Sequence, residues 1–150
     1  MNTKTQAERL HQAADTFIIT CVDSDGYPMT KAVVPGRHRD RLNELYFATN
    51  TSSKFANEIT KNPKASVYFY DKIHFQGCFL KGKMEIVDDM ATKEKYWLED
   101  YKEAYPQQSF ADPDFCLLKF TPQFGRFYTG EDALDFEIPK SAKRRLDNEK

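Results

Sequence analysis

The feature that most constrains this chain is a stretch of strict alternation. In Lys64-Ala65-Ser66-Val67-Tyr68-Phe69-Tyr70-Asp71, Ala65, Val67 and Phe69 fall on one side and Ser66, Tyr68 and Tyr70 on the other. A period of two sends successive side chains to opposite faces, so the segment reads as a strand with one face on a core. A lone strand leaves its backbone groups unpaired, so the rest of the chain must supply a sheet. Residues 16–22 are β-branched and aromatic, Asp25-Gly26 is a hairpin signal, and 29–34 form the returning strand. Further strands are expected at 44–49 and 75–87. Residues 115–120 and 126–128 read as two last strands separated by the Thr121-Pro122 break.

Helices punctuate this pattern. Residues 4–14 carry Ala7, Leu10, Ala13 and Ala14 on one side. The cluster Thr49-Asn50-Thr51-Ser52-Ser53 consists of N-cap residue types. Phe55, Ala56 and Ile59 follow at helical spacing until Asn62-Pro63 ends the turn. Residues 91–105 fit a helix with Trp97, Tyr101 and Ala104 on one stripe. Six or seven strands joined mostly by short turns, with flanking helices, predict a mainly β protein built as a closed or nearly closed antiparallel barrel. The expected organisation is a single domain over 1–150, with a core at 10–130 and a charged tail at 136–150.

Composition removes several classes of function. Twenty-two Lys and Arg against twenty-three Asp and Glu give a net charge of −1, which argues against nucleic acid and anionic membranes as partners. Twelve Phe, eight Tyr and one Trp exclude disorder for most of the chain. No apolar run approaches the ~20 residues of a membrane helix, and residues 1–15 lack a signal-peptide pattern. Cys21, Cys78 and Cys116 are odd in number and form no CxxC pair, so free buried thiols in the reducing cytoplasm are expected. His11, His38 and His74 are too scattered for a metal triad, and no metal site is expected. No Walker A, GxGxxG or GxSxG pattern occurs.

Chemistry concentrates where the strand at 44–49 runs into the helix after Ser53. Unpaired N–H groups at a helix N-terminus attract anions, and Thr49, Ser52, Ser53 and Lys54 could add hydroxyl donors and a point charge suited to a phosphate. The same residues could equally cap the helix and meet solvent. Lys31 lies mid-strand and reads either as a second cation or as an edge-strand lysine that deters aggregation. If Ala32 and Val34 face the core, Lys31 and Val33 face away. Gln76 interrupts an apolar face, so its amide would bond either a flat ring or neighbouring backbone. Arg37, Arg39 and Arg41 could screen a phosphate or remain a solvated loop.

This order of pieces resembles the pyridoxamine 5′-phosphate oxidase-like FMN-binding split barrels. The resemblance rests on a hairpin with a basic residue on its second strand, then strand, Thr49, Ser52-Ser53-Lys54, helix, Asn62-Pro63 and strand. Gly82, Asp88, Trp97, Asp112-Pro113 and Lys119-Phe120-Thr121-Pro122 are similar to the general-stress-protein subgroup. It spans about residues 10–130 and implies a homodimer of six-stranded antiparallel split β-barrels with FMN at the subunit interface. Lys31 would then hold the flavin phosphate together with Thr49, Ser52, Ser53 and Lys54, both serines fitting the T…S-x-K pattern. Ala32 and Val33, within 30–33, and residues 46–49 would flank the isoalloxazine. Gln76 or Gly77 would contact the ring, with Tyr128 or Phe127 as its late-strand aromatic. The Arg-x-His segment and the Trp…Arg-Leu-x-Pro ending of true pyridoxamine-phosphate oxidases are missing, so vitamin B6 oxidation is not implied.

The implied activity is a flavin-dependent oxidoreductase passing electrons from NAD(P)H to a small electrophilic acceptor, with no catalytic side chain specified. The alternatives are a non-catalytic, stress-related flavin carrier or sensor, and a non-flavin barrel that stacks nucleic-acid bases on Tyr68 and Tyr70.

Overall fold

The computed structural model describes residues 2–36 and 41–138. Helix α1 (Thr3–Ala13) leads into β1 (Phe17–Val22), β2 (Pro28–Val33) and β3 (Leu45–Asn50). Helix α2 (Lys54–Lys61), β4 (Lys64–Asp71) and β5 (Gln76–Ile86) follow. Helix α3 (Met90–Tyr96), a 3-10 helix (Glu99–Ala104), β6 (Phe115–Tyr128) and β7 (Ala133–Phe136) complete the chain. The strands form one sheet in the order β2-β1-β4-β5-β6-β3, with β7 paired to β6, and each pairing is antiparallel.

The mainly β antiparallel architecture is as expected, but the described residues form seven strands rather than six. The additional strand, β7, is only four residues long and gains its place from pairing with β6. The ring of Phe136 lies where a Cβ on Gly125 would be, so Phe136 is a strand residue and not the start of a tail. The two expected late strands are one. Strand β6 runs through Thr121-Pro122 with a register shift opposite Lys81 and Gly82. Proline is tolerated there because its strand changes partners: β3 pairs with 115–120 and β7 with 125–128. The helix expected at 91–105 is two pieces, divided at Trp97 and Leu98.

The β1–β2 hairpin turns on Gly26, whose φ of 86° suits a residue without a Cβ. Asp23 Oδ1 accepts from the amides of Asp25 and Tyr27 and ties the turn down. The core is aromatic. Phe17, Phe47, Phe69, Phe120 and Phe127 are buried with Ile19, Val67, Leu80, Met84 and Leu118. The rings of Phe17 and Phe69 stack at 4.8 Å between centroids. Helix α1 adds Ala7, Leu10 and Ala14, so the core begins before residue 10, whereas Ala13 is exposed and His11 takes the inward position. All three cysteines are free and buried, as expected.

The two ends of the strand order, β2 and β3, meet in a single bridge, Pro35 with Phe47. The sheet therefore curls round almost to closure and leaves a seam between β2 and β3 along the rest of their length. Edge strands carry unpaired backbone groups, so this seam is where the barrel can receive something else.

Candidate functional site

The seam orders the first group of candidate residues. Cross-strand partners point to the same side of a sheet, and Lys31 lies opposite the core residue Ile19. Lys31 therefore faces inward with Met29 and Val33, while Ala32 and Val34 are exposed, the reverse of the orientation considered from sequence. Its Nζ crosses the seam and donates to Thr49 Oγ1 on β3 at 2.6 Å. The same ammonium lies 5.3 Å from the ring centre of Phe55, in the first turn of α2. Lys31, Thr49 and the first turn of α2 thus converge.

The electrostatics of this cluster are unusual. Burial pushes the Lys31 ammonium below its ordinary pKa of 10.5. Among the described residues no carboxylate lies within ion-pairing distance of it. It also faces the positive end of α2, where Lys54 adds a further cation. Desolvated positive charge without a counter-ion is the arrangement an anion would relieve.

The β3–α2 loop is ordered by its own side chains. Ser53 caps α2, its Oγ accepting from Ala56 N at 3.1 Å, which leaves the hydroxyl hydrogen to donate elsewhere. Lys54, the first residue of α2, is exposed. The Ser52 amide and hydroxyl donate to the two carboxylate oxygens of Asp114 at 2.8 and 3.2 Å. Asn50 Nδ2 donates to Asp114 as well, at 2.7 Å, and these bonds hold the Asp114 carboxyl below its ordinary 3.8. From the layer behind, Tyr105 Oη donates to the Thr49 carbonyl at 2.7 Å. The sequence pointed to neither Asp114 nor Tyr105 as part of this arrangement. Asp112-Pro113 hinted at the segment but not at its task.

The second group sits elsewhere. Gln76 opens β5 opposite Asp71, and its neighbour Gly77 pairs with both Tyr70 and Tyr128. Tyr68 leans over Gly77, where an added Cβ would fall 2.0 Å from the Tyr68 hydroxyl, and Tyr128 lies 6.5 Å from the Tyr68 ring. Phe127 is in the core, so Tyr128 is the aromatic available to a ligand. Following the pairing from Lys31 through Ile19, Val67 and Leu80 to Gly125 shows the separation. Gln76 lies four residues along β5 from that row, about 13 Å at ~3.3 Å per residue. Arg37 and Arg39 are outside the described residues, and Arg41 is exposed.

The other face of the sheet carries a row through Ala32, Ile18, Tyr68, Phe79 and Arg126, set by the same pairings. Two clefts, of about 380 and 470 Å³, are lined around Val34-Pro35-Gly36 with Leu98, and around Leu10 with Tyr70 and Ile73; none of the residues considered for the flavin lines either. No helix among the described residues is long and apolar enough to cross a membrane.

A nearly closed antiparallel barrel with a polar seam places the chain among the split-barrel folds. The family described as pyridoxamine 5′-phosphate oxidase like matches residues 4–150, and the chain belongs to it. A Clostridium acetobutylicum protein related to general stress protein 26 of B. subtilis, of the pyridoxinephosphate oxidase family, superposes with a TM-score of 0.79 at 31% identity. That match covers 89% of this chain and 93% of the other. A pyridoxamine 5′-phosphate oxidase-related, FMN-binding protein from Nostoc punctiforme shares the fold, with TM-score 0.67, 19% identity and coverage of 91% and 95%. So does a heme-binding protein from Mycobacterium smegmatis, with TM-score 0.69, 15% identity and coverage of 91% and 59%. The comparison with curated proteins found no match.

Proposed function

We propose that this chain is a cytoplasmic FMN-binding flavoprotein. It works as a homodimer and passes electrons from NAD(P)H to a small electrophilic acceptor. The observation that carries the reading is Lys31, a half-buried ammonium on the seam beside the start of α2, with no carboxylate partner among the described residues. A phosphate monoester dianion fits that environment, because it supplies the missing counter-charge and offers acceptors to Lys31, the Ser53 hydroxyl and Lys54.

Thr49 holds the Lys31 ammonium at the seam, and Ala32 and Val33 continue the strand along which the ring would lie. Gln76 and Tyr128 lie farther along the sheet, at the start of β5 and the end of β6. They would serve the ring bound to a second copy. The aromatic row on the outer sheet face supports the dimer, since half-exposed Tyr and Phe side chains favour subunit contacts. Bound flavin supplies the two-electron chemistry, and the residues here bind, orient and shield it.

The test is reconstitution with FMN, removal of free ligand and an absorption spectrum, followed by NADH and NADPH oxidation with a panel of quinones and nitroaromatics. A retained flavin spectrum with turnover is expected. Stoichiometric FMN without turnover would replace the oxidoreductase with a flavin carrier or sensor. A colourless protein, or one that takes haem in place of FMN, would refute the reading.

A further inference from the structure

Ser52 stands where the family resemblance puts a phosphate donor, yet its donors are already engaged. Its amide and hydroxyl both point to Asp114, at 2.8 and 3.2 Å, and Asn50 Nδ2 joins them at 2.7 Å. The neighbouring residue is gripped from the same segment: Thr51 N donates to the Asp114 carbonyl at 2.9 Å and Thr51 Oγ1 to the Pro113 carbonyl at 2.8 Å. Asp114 is itself fixed. Its amide donates to Asp112 Oδ1 at 2.8 Å, while Asp112 Oδ2 accepts from Gln107 N at 2.7 Å, and Asp112 is 3% exposed. With Tyr105 on the Thr49 carbonyl, each residue from 49 to 52 is bonded to the segment between 105 and 114.

A carboxylate that accepts these donors does what a bound anion would do in the same nest. Two anions cannot share one set of donors without like-charge repulsion, so a phosphate must be read by other groups. We propose that Asp114 is a built-in anion that shapes the β3–α2 loop, that Ser52 acts through it as a positioning residue, and that the flavin phosphate is read by Lys31, Ser53 and Lys54 without Ser52. This rests on the FMN-binding reading above. The 105–114 segment thereby sets how strongly the protein prefers FMN to riboflavin, although none of its residues touches the ligand.

The experiment is a fluorescence-quench titration of the full chain with FMN and with riboflavin, for wild type, Ser52→Ala, Asp114→Asn and the double variant. Hydrogen bonds to charged groups imply that Asp114→Asn weakens FMN about 10-fold while leaving riboflavin within about twofold. Ser52→Ala alone weakens FMN less, and adding it to Asp114→Asn brings no further loss, because both changes break the same contact. Thermal melts confirm that each variant is folded, and Asp114→Ala repeats the cycle with the anchor removed outright. Additive losses for Ser52→Ala and Asp114→Asn would overturn the proposal, since Ser52 would then touch the phosphate itself. So would unchanged or tighter FMN binding in Asp114→Asn, or an equal loss for both ligands. Wild type that fails to bind FMN, or binds riboflavin as well, would refute the phosphate site beneath it.

Discussion

Lys31→Met removes the ammonium from the seam and retains a side chain of similar reach. Two unit charges about 4 Å apart attract by ~4 kcal/mol at an effective dielectric of ~20 and by ~1 kcal/mol in bulk water. Lys31 is half-buried, so an intermediate value of about 2 kcal/mol applies to its contact with a phosphate charge, or about 30-fold in Kd. Riboflavin, which lacks the phosphate, should bind the variant as it binds wild type. The protein without ligand should behave in the opposite way. Burial makes the ammonium costly, so its removal should leave the melting temperature at neutral pH unchanged or raised. The pH dependence follows from the direction of the shift. A lysine whose folded pKa lies below 10.5 sheds its proton earlier in the folded state, so stability rises with pH just below 10.5 in wild type. That slope should vanish in Lys31→Met. Fluorescence titration with both flavins and melts across pH 8–11 provide the readings. FMN binding within about twofold of wild type would refute the reasoning, as would a fall in the melting temperature of the ligand-free variant by more than about 4 °C, roughly 1 kcal/mol.

Three other outcomes are expected. An added Cβ at Gly82 would meet the Thr121 carbonyl oxygen at 2.1 Å and Pro122 Cα at 2.8 Å, so Gly82→Ala should cost about 3 kcal/mol in urea unfolding. Gly130, with nothing within 4 Å, should accept alanine within about 0.5 kcal/mol, and similar costs at the two positions would contradict the bulge geometry. Asp114 is held below 3.8, so the stability it contributes is present above that value and lost as the pH falls through its folded pKa. Acid titration of the urea midpoint should therefore fall more steeply for wild type than for Asp114→Asn, and parallel curves would remove the anchor. Burial raises the thiol pKa of Cys21, Cys78 and Cys116. An aromatic disulfide reagent at pH 8 should label them only as fast as the protein opens, and a rapidly labelled cysteine in the native state would contradict this.

The sequence by itself determined the first five strands, the hairpin at Asp25-Gly26 and a helix start within 49–53, because each rests on residues a few positions apart. Alternation over 64–71 needs no distant partner to be visible, and neither does a helix start marked by hydroxyl residues. The order of those pieces also carried the family. Tertiary structure decided the rest. The face Lys31 presents depends on its pairing with Ile19, which the mixed residues of β2 could not announce. The unity of β6 through Pro122 and the existence of β7 depend on which neighbour each stretch pairs with. The Lys31–Thr49 contact joins residues 18 apart, and the Asp114 anchor joins residues 62 and 64 apart. Antiparallel pairing and barrel curvature bring such positions together. Those distances are properties of register and closure, and a chain written in one dimension does not contain them until the sheet has formed.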